Sequence, residues 1–176
     1  MQLPKNLNRN SQSLNFDLLN KELKQNGYLK LSFIDNNESN KFLKNFVQKK
    51  LWQQIDQRIF ELTKNHGRLF NLLQNFSKFT SIEHILSLRD STDPDQEDGI
   101  WHDDGSRVLA FSLSLTLNPI NGGELLLRKK NEINYQKIVT PEFGDLLIFL
   151  TGTSNWEHKI QKVTKGARLV VAGWCS

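Results

Sequence analysis

The chain has one cysteine, one methionine, two tyrosines and four prolines. The lone cysteine, Cys175, excludes an intrachain disulfide and any zinc site built on thiolates, so a bound metal would have only imidazoles and carboxylates to use. That scarcity suits a reducing compartment. Long apolar runs are absent too: no stretch approaches the ~20 residues a membrane-spanning helix needs, and the opening MQLPKNLNRN has no apolar h-region. The expectation is a soluble, cytoplasmic protein with no membrane partner. Nor is there a block of one charge. The formal net charge is +4 over 176 residues, with lysines spread along the chain, which permits nucleic-acid binding without indicating it. What remains is ordinary globular composition, 38% hydrophobic and 24% charged, enough for one domain around one sizeable core.

Residues 1–13 are rich in Asn, Gln and Ser and bury too little to offset their ordering entropy, so they are expected to form a flexible N-terminal segment. Residues 14–176 are expected to form a single domain, with helical support over about 14–80 and a β core over about 84–176. Phe42, Leu43, Phe46, Val47, Leu51 and Ile55 recur at helical spacing and predict one amphipathic helix, with Asn36 or Asn37 as its N-cap. A further helical stretch covers about 54–64 and ends at Asn65-His66-Gly67, and Leu69, Phe70, Leu72, Leu73, Phe76 and Phe79 suggest another. From about residue 84 the texture changes to short strand-like runs, HILSL, RVLAFSLSLTL, GELLLRKK, INYQKIVT, GDLLIFL, EHKIQKV and RLVVAGWC. Turn residues in NPINGG, TPEFG and TKG separate them, and serial strands of this kind imply an antiparallel sandwich or barrel. In the longest run Leu109, Phe111, Leu113, Leu115 and Leu117 share one face, and Ala110, Ser112, Ser114 and Thr116 the other. The bulky face needs the helices as a cover, which leaves the small, partly polar face to line a cavity. Ser112 and Ser114 are candidate co-substrate contacts, with tight packing as the equal alternative.

The segment IWHDDGSR, residues 100–107, places two carboxylates beside an imidazole, an arrangement that repels itself unless solvent or a cation offsets it. On extended backbone His102 and Asp104 point to one side and Asp103 to the other. Asp103 is therefore expected to face solvent or accept hydrogen bonds within the turn. Of the other histidines, His158 opens a strand late in the chain and is the best third ligand, whereas His66 at a helix end and His84 at a strand start read as structural. Two imidazoles and a carboxylate would hold one face of an octahedral metal, the ligand set of non-haem Fe(II) oxygenases. Arg168 follows across the TKG turn. If that turn is a three-residue loop with Gly166 left-handed, Lys162 faces Arg168 and His158 shares their strand face, leaving room for a small diacid between guanidinium and metal. The acidic stretch DSTDPDQED, residues 90–98, lacks the mid-loop glycine of a calcium loop and reads as a solvated loop, with an acidic lid over the site as the sharper alternative.

Taken in order, these segments resemble the Fe(II)- and 2-oxoglutarate-dependent dioxygenases on their prolyl-hydroxylase-like branch. WHDDGSR is similar to the family's H-x-D segment with its following arginine, NGGELLLR to the hairpin and strand after it, and PEFGDLLIF to the strand before the distal histidine. HKIQKVTKGARLVVAGW is similar to the stretch that carries that histidine, a glycine, the 2-oxoglutarate arginine and a terminal tryptophan. SFIDNNESNKFLKNFV resembles the introductory strand and helix. The resemblance implies a mainly β fold, a double-stranded β-helix (jelly-roll) core with N-terminal helices packed on one sheet. It implies Fe(II) held by His102, Asp104 and His158, 2-oxoglutarate and dioxygen as co-substrates, and Arg168 on the distal carboxylate of 2-oxoglutarate. The implied reaction is hydroxylation of a peptide side chain or a small molecule, with 2-oxoglutarate decarboxylated to succinate. Two departures bear on the substrate: HILSLRD lacks the tyrosine that prolyl hydroxylases often carry there, and Lys162 stands where many have proline. Trp174 occupies the position where the nucleic-acid demethylase branch usually has a second arginine. The competing expectation is a non-catalytic jelly-roll module that keeps the fold and uses its pocket for recognition.

Overall fold

The computed structural model describes residues 14–34 and 38–176. The segment 1–13 and the N-cap candidates Asn36 and Asn37 lie outside the described residues. The helical support comprises α1 (Phe16–Asn26), α2 (Glu38–Gln48), α3 (Trp52–Thr63) and α4 (Arg68–Leu73), with strand β1 (Tyr28–Ser32) inserted after α1. Asn15 caps α1 by accepting from the Leu18 amide at 3.1 Å. The introductory strand and helix of the resemblance correspond to β1 and α2, the strand ending where the quoted segment begins.

The single helix expected from Phe42 to Ile55 is in fact two. Lys50 takes a left-handed φ of 55°, and the Leu51 amide bonds back to the Phe46 carbonyl at 2.9 Å. The chain thus reverses between α2 and α3, and Leu43 and Val47 reach the same core as Ile55 and Ile59 from separate helices. Hydrophobic spacing alone runs through this break because both helices keep their apolar residues in phase. The third expected helix stops at Leu73, so Phe76 and Phe79 come from the turns beyond it, Phe79 stacking edge-on against Phe70 at 5.0 Å.

The β core contains β2 (Ile82–Asp90), β3 (Leu109–Ser114), β4 (Asn121–Gly122), β5 (Leu125–Lys129), β6 (Gln136–Ile138), β7 (Asp145–Leu150), β8 (Trp156–Ile160), β9 (Val163–Lys165) and β10 (Ala167–Cys175). An antiparallel five-stranded sheet has the order β1-β7-β3-β10-β2 and faces a three-stranded sheet, β6-β5-β8, with β4 and β9 paired at one end. The expected run EHKIQKV divides into β8 and β9 because the chain leaves one sheet there and crosses toward the other.

The alternation read in the longest strand run is realised. Leu109, Phe111, Leu113 and Leu115 join Leu146, Ile148, Val171 and Cys175 against α1, α3 and α4 in one buried cluster. Ala110, Leu147 and Phe149 point the other way and meet Leu125, Leu127 and Trp156 of the smaller sheet. The five-stranded sheet therefore has a greasy helix-covered back and a front that closes over a barrel interior, the jelly-roll arrangement expected. Among the described residues no helix is long and apolar enough to cross a membrane.

Candidate metal and co-substrate site

His102 and His158 are brought together by an isolated antiparallel bridge. Each donates its amide to the other's carbonyl, at 3.1 Å from His102 and 2.8 Å from His158. Residues directly opposite on an antiparallel pair project to the same face, and the two imidazoles lie with centroids 4.4 Å apart. Asp104, two residues on from His102, turns its carboxylate to the same point, Oδ1 standing 4.0 Å from His102 Nε2. One ligand atom from each of His102, Asp104 and His158 falls within 4.8 Å of the other two.

The surroundings fix this geometry. His102 Nδ1 lies 2.9 Å from the Ile100 carbonyl. A carbonyl can only accept, so Nδ1 carries the proton and Nε2 keeps its lone pair toward Asp104. The Asp104 amide donates to Thr151 Oγ1 at 3.2 Å, and the His158 ring rests edge-on against Phe149 at 4.9 Å. Burial, the largest influence, pulls the His158 pKa down to about 4, outweighing the opposing pull of the Asp104 carboxylate. The ring is thus neutral and able to donate a lone pair at physiological pH. Asp103 departs to the other side as expected. Its Oδ1 accepts from the Gly105 amide at 2.8 Å, its Oδ2 pairs with Lys130 Nζ, and the Lys130 and Gly105 bonds hold its carboxyl below the usual range.

The donor set fits a divalent metal that accepts nitrogen and oxygen ligands. Asp104 Oδ2 and His158 Nδ1 are buried with no hydrogen-bond partner, and the Asp104 side chain is only 7% exposed. An unpartnered buried acceptor costs about 1–3 kcal/mol, a cost that a bound cation removes.

Arg168 lies on β10 with the parity of Val170, Ala172 and Trp174, opposite to the helix-facing Leu169, Val171 and Cys175, so it projects into the barrel interior. It is 4% exposed, and among the described residues no carboxylate pairs with it. Burial, followed by the neighbouring Arg89, pushes its pKa down to about 10, so it stays charged at neutral pH. Its Nε donates to Thr140 Oγ1 at 3.3 Å. Gly123, at φ 72°, passes directly over it; a Cβ there would stand 2.9 Å from Arg168 Cδ.

The expected hairpin that set Lys162 opposite Arg168 is not formed. Gly166 is left-handed, φ 83°, but β8 belongs to the three-stranded sheet and β10 to the five-stranded one. The cross-strand partner of Arg168 is Arg89 on β2. His158 and Arg168 therefore share the interior by facing each other from two sheets, and Lys162 instead offers its carbonyl to the Gly123 amide.

Ser112 and Ser114 both face the interior, with different prospects. Ser112 Oγ is buried without a partner, whereas Ser114 Oγ accepts from the Thr116 amide at 3.4 Å. The acidic stretch 90–98 is stitched down. Gln96 Oε1 accepts from the Val163 amide at 2.7 Å, Gln96 Nε2 donates to the Asp90 carbonyl at 2.7 Å, and Asp98 Oδ1 accepts from the Lys162 amide at 2.6 Å. Such anchoring suits a fixed wall and not a swinging lid. His84 contacts Thr63 and lies near Asp56, and His66 sits exposed beyond α3, both away from the cluster.

Residues that sequence reasoning passed over are Thr140, Thr151, Lys130 and Arg89. No local pattern marks them, because each reaches the site from a segment distant in sequence. A cavity of about 1020 Å³ lies between α2 and the loops 116–124 and 139–143. Lys41, Lys44 and Glu142 are among its walls and none of the three clustered ligands is, so it is distinct from the metal site and adjoins the Arg168 end through Thr140.

The likenesses of the chain agree with this geometry. A PKHD-type hydroxylase of Prochlorococcus marinus (strain AS9601) is 26% identical over 136 residues, covering 75% of this chain, and the chain spans 59% of that relative's length. A prolyl-4-hydroxylase of Pseudomonas putida superposes with a TM-score of 0.62 at 15% identity, covering 96% of each chain. A prolyl hydroxylase of Trichoplax adhaerens, in complex with a hypoxia inducible factor peptide fragment, gives 0.63 at 15% identity over 91% of this chain and 88% of that one. The 2OG-Fe(II) oxygenase profile itself matches residues 89–176, the half of the chain that holds His102, Asp104, His158 and Arg168 on its closing strands, and the chain belongs to the 2OG-Fe(II) oxygenase superfamily.

Proposed function

We propose that the chain is an Fe(II)- and 2-oxoglutarate-dependent hydroxylase acting on a peptide side chain or a small molecule. The observation that carries this reading is the presence, inside one barrel, of a two-imidazole, one-carboxylate cluster and a buried arginine with no acidic partner among the described residues. His102, Asp104 and His158 would hold the iron on one face. Arg168 would take the distal carboxylate of 2-oxoglutarate as a bidentate, charge-assisted pair, with Ser112 Oγ supplying a free hydroxyl on the same interior face. When bound, iron supplies the oxidising chemistry that uses dioxygen and 2-oxoglutarate, yielding succinate, carbon dioxide and a hydroxylated product.

The chain's own residues do the positioning. Ala110, Leu147, Phe149, Leu125 and Leu127 make the interior beside His158 apolar, which limits quenching by water. The Asp104 backbone is fixed by its amide hydrogen bond to Thr151, which keeps the side chain turned toward the two imidazoles. The substrate side is open, since His102 is 47% exposed. Ile85 on the edge strand β2 is 52% exposed on the sheet face shared with Trp174 and Arg107. A peptide is supported as substrate by the Trichoplax adhaerens neighbour, whose complex holds one.

The test is to load the protein anaerobically with Fe(II) and 2-oxoglutarate, admit oxygen, and follow succinate and hydroxylated species in peptide and metabolite pools by mass spectrometry. Iron-dependent succinate above a His158→Ala control is expected. Its absence would favour the non-catalytic binding module.

A further inference from the structure

Arg89 stands directly across from Arg168 in the antiparallel register of β2 and β10, so both side chains project to the barrel side of the sheet. Neither has a carboxylate partner among the described residues. Two facing guanidiniums repel, and the repulsion adds to the burial that already depresses the Arg168 pKa. Arg89 is nonetheless held in place, its Nη1 donating to the Glu97 carbonyl at 3.0 Å. That carbonyl belongs to the acidic stretch that Gln96 and Asp98 pin to the region of Lys162 and Val163. One nitrogen of the fork is thereby anchored while the rest can serve another acceptor.

A carboxylate seated on Arg168 would need further donors, for its two oxygens carry about four lone-pair sites and one guanidinium fills about half of them. Two of the nearby hydroxyls are committed, which leaves the unpartnered Ser112 Oγ as a neutral donor and no second charge among them. Thr140 Oγ1 gives its proton to the Gly123 carbonyl at 3.0 Å while accepting from Arg168. Thr116 Oγ1 gives its proton to the Leu169 carbonyl at 3.0 Å.

Resting on the co-substrate reading of this site, we propose that Arg89 is a second binding residue for the distal carboxylate of 2-oxoglutarate, closing a two-arginine clamp across β2 and β10. The clamp explains why the stretch 90–98 is fastened so firmly: it forms the fixed wall that aims Arg89. It also makes the pocket selective for 2-oxo acids with a second carboxylate, since a ligand lacking one leaves the repulsion unrelieved.

The experiment is anaerobic titration of the Fe(II) protein with 2-oxoglutarate and, separately, with 2-oxobutyrate, which lacks the distal carboxylate. Binding is followed by the metal-to-ligand charge-transfer band. Arg89→Gln is expected to weaken 2-oxoglutarate about tenfold, the scale of losing one charge-assisted contact, and to leave 2-oxobutyrate unchanged. The thermal midpoint of the metal-free variant should stay level or rise, because a repulsion has been removed. An unchanged 2-oxoglutarate constant, or equal losses for both acids, overturns the clamp. Failure of the wild-type protein to bind 2-oxoglutarate overturns the co-substrate reading itself, and with it the clamp, before any variant is made. Should Arg89→Gln not fold, Arg89→Lys serves in its place. It keeps the charge without the fork, and a loss of about threefold is expected for 2-oxoglutarate alone, equal constants again overturning the clamp.

Discussion

Asp103 and Asp104 are adjacent and chemically identical, yet they should respond in opposite ways to removal. The Asp104 side chain is 7% exposed, and its Oδ2 is buried with no donor. Truncation to alanine removes a buried acceptor that costs about 1–3 kcal/mol when unpartnered, and it loses some packing in return. The net effect expected for the metal-free protein is a stability unchanged or raised by about 1 kcal/mol, equivalent to roughly 2–4 °C in thermal midpoint for a chain of this size. Metal changes the sign. A ligand at a hundredfold excess over its Kd stabilises the folded state by about 2.7 kcal/mol, so the wild-type midpoint should climb by roughly 5–11 °C on saturation with Fe(II) or Mn(II). Asp104→Ala, left with two imidazoles, should show no such climb. Asp103→Ala forfeits the Gly105 and Lys130 contacts but should bind metal as the wild type does and show the full climb. Scanning fluorimetry with and without metal, together with anaerobic calorimetry, measures both quantities. Equal loss of metal affinity in the two variants, or retention of it in Asp104→Ala, would refute the assignment of opposite sides to the two carboxylates.

Arg168→Ala should weaken 2-oxoglutarate binding by about 2–5 kcal/mol, the usual cost of leaving a buried charge unpaired, with lysine restoring only part of it and metal affinity little changed; an unchanged titration would move the carboxylate site elsewhere. Gly123→Ala should reproduce much of that loss without touching Arg168. Its φ of 72° and a Cβ 2.9 Å from Arg168 Cδ force the guanidinium aside, and the left-handed backbone adds about 1–2 kcal/mol of strain; full 2-oxoglutarate affinity in a folded variant would disprove the contact. Burial pushes the Cys175 thiol up to about 12, so maleimide at pH 8 should label the protein only after unfolding in urea, and rapid labelling of the native chain would contradict the packing of β10.

How far the site can be read from the sequence depends on how locally each residue is held. His102 and Asp104 lie two apart on extended backbone, so their shared direction follows from the strand period alone. His158 needed only a late strand able to close on them. Arg168 does face the barrel interior together with His158, but not through the expected hairpin: the chain crosses between sheets after β8, and the cross-strand neighbour of Arg168 is Arg89. Thr140 was legible only as a turn residue in TPEFG, because its contact with Arg168 depends on how two distant loops meet. The helices show the same limit. Their apolar spacing was correct, but it carries no signal for the reversal at Lys50, where one left-handed residue divides the expected element.

The two sheets also account for charges that a stability-driven core would have eliminated. Asp104 is closed off from solvent and Arg168 is 4% exposed, they carry opposite sign inside one barrel, and no salt bridge joins them. The backbone prevents it. Asp104 is tied through its amide to Thr151 beside the His102–His158 bridge, while Arg168 is clasped under Gly123 and bonded to Thr140 at the other end of the crossing. Each charge is left incomplete in a complementary way, the acidic end asking for a cation and the basic end for an anion. A molecule that satisfies both must chelate a metal at one end and carry a carboxylate at the other. On the function proposed above, 2-oxoglutarate would meet both demands, its 2-oxo acid at the metal and its distal carboxylate at the arginine. The cost of keeping the pair apart would then be recovered when metal and co-substrate bind together, and each should be held more tightly in the presence of the other.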